Sequence, residues 1–206
     1  NVLGENIAQV EPCPVNLTDL PPAVPAMRMN VGEGKVVRWY NRSLSYWLKN
    51  VAEGSVLTVY AGDQVALPVT DFVGERCKVY AVERDAEIID KMREKGSQAA
   101  LEPNKLSIAR ADFFSTSDNL RTFLESRKVQ SVVFGVNALK YIAEDPTWGM
   151  VFAAELLRRN GSLIVATQKP DFSLDRTIGT VQRAGCYVDD IRVLMRGRYA
   201  MRGLNR

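Results

Sequence analysis

Apolar positions change their period along the chain, and each change marks an element. In VVRWYNRSLSYWLKN (36–50), Val37, Tyr40, Leu44, Trp47 and Leu48 recur at helical spacing, which predicts an amphipathic helix with an aromatic face. The pattern then shortens. SVLTVY (55–60) and KVYAVE (78–83) are rich in β-branched residues and read as buried strands. Between them AGDQVALPVTDFVGER predicts a loop and a short helix, with Pro68 best suited to that helix's first turn. RDAEIIDKMREKG (84–96) carries Ile88, Ile89 and Met92 on one face and predicts a helix with Gly96 as its C-cap. KLSIARA (105–111) is a third strand, 117–127 a helix built on Leu120, Phe123 and Leu124, and VQSVVFGV (129–136) a fourth strand. Residues 146–159 predict a helix that opens at Pro146 and stops at Asn160-Gly161. SLIVAT (162–167) is a fifth strand, and FSLDRTIGTVQRAG (172–185) a helix closed by Gly185. CYVDDIRVLM and RYAMRGL predict two final strands, antiparallel to each other.

Strands that alternate with helices imply right-handed crossovers and a mostly parallel sheet covered on both faces. The fold class expected is therefore α/β: a Rossmann-like seven-stranded sheet in the order 3-2-1-4-5-7-6, closed by a C-terminal antiparallel pair. Residues 11–25 hold five of the nine prolines, which predicts an extended arm over 1–35 ahead of a single domain over 36–206. VGEG at 31–34 reads as a turn or linker. In an open α/β sheet the ligand lies beyond the carboxyl ends of the strands. Positions 60–64, 83–85, 111–113 and 135–139 are thus where chemistry is expected.

Composition narrows that chemistry. The chain of 206 residues has no histidine, which removes Ser-His-Asp and Cys-His nucleophile arrangements and imidazole metal ligands. Cys13, Cys77 and Cys186 form no CxxC pair, so no metal is expected. Their odd number fits reduced thiols and a cytoplasmic location. No apolar run reaches a membrane span and no leader pattern is visible, so no membrane partner is expected. The net charge of +3 has a location, because Arg192, Arg196, Arg198, Arg202 and Arg206 lie in a terminal segment without acids. Either this is an edge strand defended by charge, or it contacts an anionic partner such as nucleic acid. The proline arm and helix 36–50 are a candidate surface for a homo-oligomer.

The strand ends supply a consistent set of residues. Glu83 ends the second strand, 21 residues after Gly62, where an acid can accept from both hydroxyls of a ribose. Asp112 ends the third strand and can accept from an adenine amino group, with Phe113 to cover the base. Asn137 follows the fourth strand. In this order the segments VYAVERD, IARADFF and VVFGVNALKYI, followed by WGMVFAAELLRRNGSLIVAT, resemble the class I S-adenosylmethionine-dependent methyltransferases over about residues 36–206. The resemblance implies S-adenosylmethionine as cofactor, with Tyr60, Gly62, Asp63, Glu83, Asp112, Phe113 and Asn137 around it.

The first motif departs from that family. Where D/E-x-G-x-G-x-G is usual, the chain has Thr58-Val59-Tyr60-Ala61-Gly62-Asp63-Gln64, and only the middle glycine remains. Thr58 lacks the carboxylate that would help to hold a methionine ammonium, a role Asp63 could take. Tyr60 either faces the pocket or plugs it. The adenosine end should then be better preserved than the methionine end. Three functions follow: a methyltransferase with a degenerate first motif and no identified substrate or catalytic residue, a non-catalytic methyltransferase-like binding or scaffold protein, and a nicotinamide dinucleotide enzyme. The last is disfavoured because a diphosphate needs the amides of a glycine-rich turn. If methyl transfer requires a base, Tyr60, Asp63 and Asn137 are the near candidates.

Overall fold

Alternate residues of each β-branched run point to opposite faces of the sheet, and both faces are apolar, so each strand needs a helix on either side. A computed structural model describes residues 31–101, 104–114, 118–125, 127, 129–136, 138–141, 147–167, 173–195 and 198–205. Its elements are α1 (Val31–Leu48), β1 (Glu53–Val59), α2 (Asp63–Phe72), β2 (Arg76–Glu83), α3 (Ala86–Gln98), β3 (Leu106–Arg110), α4 (Asp118–Glu125), β4 (Val129–Phe134), a 3-10 turn (Ala138–Tyr141), α5 (Thr147–Leu156), β5 (Leu157–Ala166), α6 (Leu174–Arg183), β6 (Cys186–Met195) and β7 (Arg198–Asn205).

The seven strands lie in the order β3-β2-β1-β4-β5-β7-β6, as expected. The first five are mutually parallel, and β7 runs antiparallel to both β5 and β6. Val56, Val79, Ile108, Val133 and Ile164 pack on one face with Tyr40 and Leu44 of α1, Val65 and Val69 of α2, and Ile89 and Met92 of α3. Leu57, Val82, Val132, Phe134 and Leu163 pack on the other, with Leu124 of α4, Met150 and Ala153 of α5, and Val181 of α6. No helix among the described residues is long and apolar enough to cross a membrane.

Four local expectations are corrected. VGEG at 31–34 is not a turn but the first turn of α1. Gly96 is not the C-cap of α3 but lies within it, where a Cβ would meet Leu101 at 3.5 Å and Leu67 at 3.8 Å, and the helix runs on to an Ala99 cap. Asn160-Gly161 does not stop α5, which ends at Leu156. Instead the register of β4 against β5 jumps from Val129↔Leu157 to Ser131↔Ser162, and Asn160, at φ 63°, sits in the resulting bulge. The proline-rich segment 1–30 lies outside the described residues.

Pro68 is the fourth correction, since it stands inside α2 rather than in its first turn. A proline there has no N–H for the carbonyl of Gln64, four residues back. The Asn41 side chain of α1 supplies the missing donor, its Nδ2 meeting Gln64 O at 2.8 Å. A long-range contact thus repairs a local break and ties α1 to α2. Asn41→Ala is expected to cost about 1 kcal/mol of stability. In a Pro68→Ala background, where the restored backbone N–H can reach Gln64 O, that cost should largely vanish; a double-mutant cycle in urea measures the coupling. Equal costs in both backgrounds would contradict it.

Candidate functional site

The turn after β1 is where the strand ends meet. Its first residue, Tyr60, has φ 49°, in the left-handed region that a bulky side chain enters at a cost of about 1–3 kcal/mol. Gly62 follows at φ 62° and precedes the first turn of α2. β4 crowds the turn from the other side. A Cβ on Gly135 would lie 2.0 Å from Tyr60 O, so only glycine fits there. Gly135 opens the stretch 135–139 marked in the sequence but is not singled out there, although a glycine interrupting the apolar run VVFGV is a visible signal of close backbone approach.

Glu83, at the end of β2, is 3% exposed and accepts from Gly62 N–H at 2.7 Å through Oε1. Burial is the main influence on its carboxyl and raises it from 4.5 to about 7, against the lowering effect of the Gly62 and Ala61 N–H groups. Glu83 and Gly62 are therefore brought together as expected, but the acid is already bonded to the turn.

The residues at the end of β3 are also engaged. Tyr60 OH donates to Asp112 Oδ1 at 2.7 Å and accepts from Phe113 N–H at 2.8 Å. Asp112 Oδ1 also accepts from Phe114 N–H at 3.1 Å, and Arg84 lies 3.7 Å from Oδ2. Burial first, then the Asp112 carboxylate, hold the Tyr60 hydroxyl well above the usual tyrosine range. It stays protonated, a donor rather than a base. Phe113 is 1% exposed and packs edge-on to Phe134, so it belongs to the core as well as to the strand end.

The methionine end is different. Thr58 is 1% exposed, its hydroxyl directed to Tyr80 O at 3.4 Å. Asp63 pairs with Lys95 of α3 instead of standing free in the turn. Asn137 lies outside the described residues. Among those described, no cluster of His, Cys, Asp and Glu could hold a metal.

The arginine segment is partly used within the fold. Arg192 pairs with Asp190 at 3.0 Å and covers the rings of Tyr46 and Trp47. Arg202 pairs with Asp189 and lies 6.0 Å from the Trp47 ring centre. Arg196 and Arg206 lie outside the described residues.

No protein-family model matches the sequence, nor does any curated protein. Solved structures do match the fold. A magnesium protoporphyrin IX methyltransferase from Synechocystis PCC 6803, with bound SAH, superposes with TM-score 0.65 at 11% identity, over 88% of this chain and 90% of its own. A SAM-dependent methyltransferase from Aquifex aeolicus gives TM-score 0.65 at 14% identity, over 86% and 94%. TrmN from Thermus thermophilus gives 0.58 at 21% identity, over 80% of this chain and 47% of its own. The chain has the class I methyltransferase fold.

A carboxyl whose folded value lies above its unfolded one favours the fold while it is protonated. The Glu83 contribution is thus complete below about pH 4.5 and lost as pH rises through about 7. Glu83→Gln removes this titration. Thermal melts of parent and variant are expected to agree near pH 4 and to separate by pH 8, the variant then being more stable by up to about 3 kcal/mol. A constant difference across that range would show that Glu83 titrates normally.

Proposed function

We propose that the chain is an S-adenosylmethionine-dependent methyltransferase with an altered first motif. The observation that carries the reading is the meeting of three strand ends in one place: the Gly62 turn after β1, Glu83 2.7 Å from its amide, and Asp112 with the Phe113 N–H at the end of β3. These residues fit the adenosine portion of the cofactor in type and position. Glu83 would accept from the ribose hydroxyls, and Asp112 and Phe113 N–H would meet the adenine edge. When bound, the cofactor supplies a methyl group already activated on a sulfonium, so the chain's own task is alignment and exclusion of water. That task needs neither histidine nor metal. An anionic acceptor is the class favoured by the basic C-terminal segment, with Arg198 its described arginine outside the ion pairs formed by Arg192 and Arg202.

A second reading, a methyltransferase-like binding or scaffold protein, is favoured by the methionine end alone. There Thr58 replaces a carboxylate and Asp63 is taken by Lys95.

Calorimetric titration with S-adenosylmethionine and S-adenosylhomocysteine separates the two. The first reading expects measurable binding of both. At pH 8, where the Glu83 carboxyl is ionised, Glu83→Ala should weaken it by about 1.5–3 kcal/mol, the value of hydrogen bonds to a charged group. Binding of neither compound to the folded protein would leave the scaffold reading.

A further inference from the structure

Tyr60 presents two polar functions at a single point. Its hydroxyl donates to Asp112 Oδ1 at 2.7 Å and accepts from Phe113 N–H at 2.8 Å. The edge of adenine carries the same pair side by side, an amino group that donates and a ring nitrogen that accepts. The phenol is also an aromatic plate, 7% exposed, with its ring centre 5.6 Å from that of Phe114. A base arriving at the end of β3 would therefore find its acceptor, its donor and its aromatic neighbour already in use. The backbone points the same way. Tyr60 holds a left-handed conformation that glycine adopts without strain, so what this position retains at the expense of strain is its side chain.

We propose that Tyr60 is an internal occupant of the adenine subsite, standing in for the base, so that an adenosyl compound binds only by displacing this side chain. The proposal rests on the cofactor reading above and deepens it. Displacement breaks both hydroxyl bonds, and the ligand restores them with its own edge. The apparent affinity is then reduced by the fraction of molecules in which Tyr60 has swung out. Removing the hydroxyl alone shifts that balance. In Tyr60→Phe the closed arrangement takes one of its donors from Asp112 Oδ1, which keeps the Phe114 N–H, and leaves the buried Phe113 N–H without this acceptor, and a buried donor that loses its partner disfavours the conformation that strands it.

The test is calorimetric titration of the full chain with S-adenosylhomocysteine, comparing the parent with Tyr60→Phe and Tyr60→Gly. Circular dichroism and thermal melts verify that each is folded. Both variants are expected to bind at least about tenfold more tightly than the parent, the equivalent of one charge-assisted hydrogen bond. Asp112→Ala added to Tyr60→Phe should remove the gain, because it deletes the acceptor for the amino group. If Tyr60→Gly does not fold, Tyr60→Phe decides, since it keeps the packing of the ring. Equal affinity of the parent and the folded variants overturns the proposal and leaves the cofactor reading in place. No binding by the parent or by any folded variant overturns both.

Discussion

One buried carboxyl group holds the turn on which the strand ends converge. Glu83 takes the Gly62 amide from across the β1–β2 ladder, while β4 presses on the same turn through Gly135, where no side chain could be accommodated. Tyr60, between these two supports, extends to the end of β3 and bonds to Asp112 and Phe113. The ends of β1, β2 and β3 are thereby joined through polar groups, of which Glu83 and Tyr60 are nearly out of solvent, and the chain after β4 closes on the same turn. Such a network is stable only when every member is satisfied, because an unpaired polar group in a low-dielectric setting is costly. The left-handed backbone at Tyr60 persists because its neighbours leave it no alternative.

The order of elements was legible because it follows from strong rules. β-branched runs separated by amphipathic helices, with right-handed crossovers, leave few topologies, and the last two strands without a helix between them had to form an antiparallel pair. Local punctuation was less readable. Pro68 is out of place in a helix until Asn41, on another helix, meets the carbonyl it frees. Asn160-Gly161 resembles a helix stop, but α5 passes into β5 without a loop and the pair forms a bulge instead. In both cases a tertiary contact overrides a propensity that is correct in isolation.

The candidate site was legible in its residue types and not in their partners. Glu83 and Asp112 were identified as acids at strand ends, and they are there. That Glu83 faces the turn amide, or that Asp63 turns to Lys95, depends on side-chain directions that the sequence pattern does not carry. The same holds for the arginine segment. Charge counting marked it as one basic stretch, whereas Asp189 and Asp190 on β6 neutralise Arg202 and Arg192 against the aromatic side chains of α1. That cluster also accounts for the aromatic helix. Tyr40, with its hydroxyl on Phe134 O at 2.7 Å, and Trp47, with its indole on Asp190 at 2.7 Å, fix α1 to the sheet.

The central claim is that the strand ends form a nucleoside site in which Tyr60 now stands. A crystal structure of the protein with S-adenosylhomocysteine tests it most directly. The adenine amino group should lie on Asp112 and its ring nitrogen on the Phe113 N–H, with the ribose at Glu83 and the Tyr60 side chain turned away. A ligand bound elsewhere, with the Tyr60 hydroxyl still on Asp112 and Phe113, would contradict it.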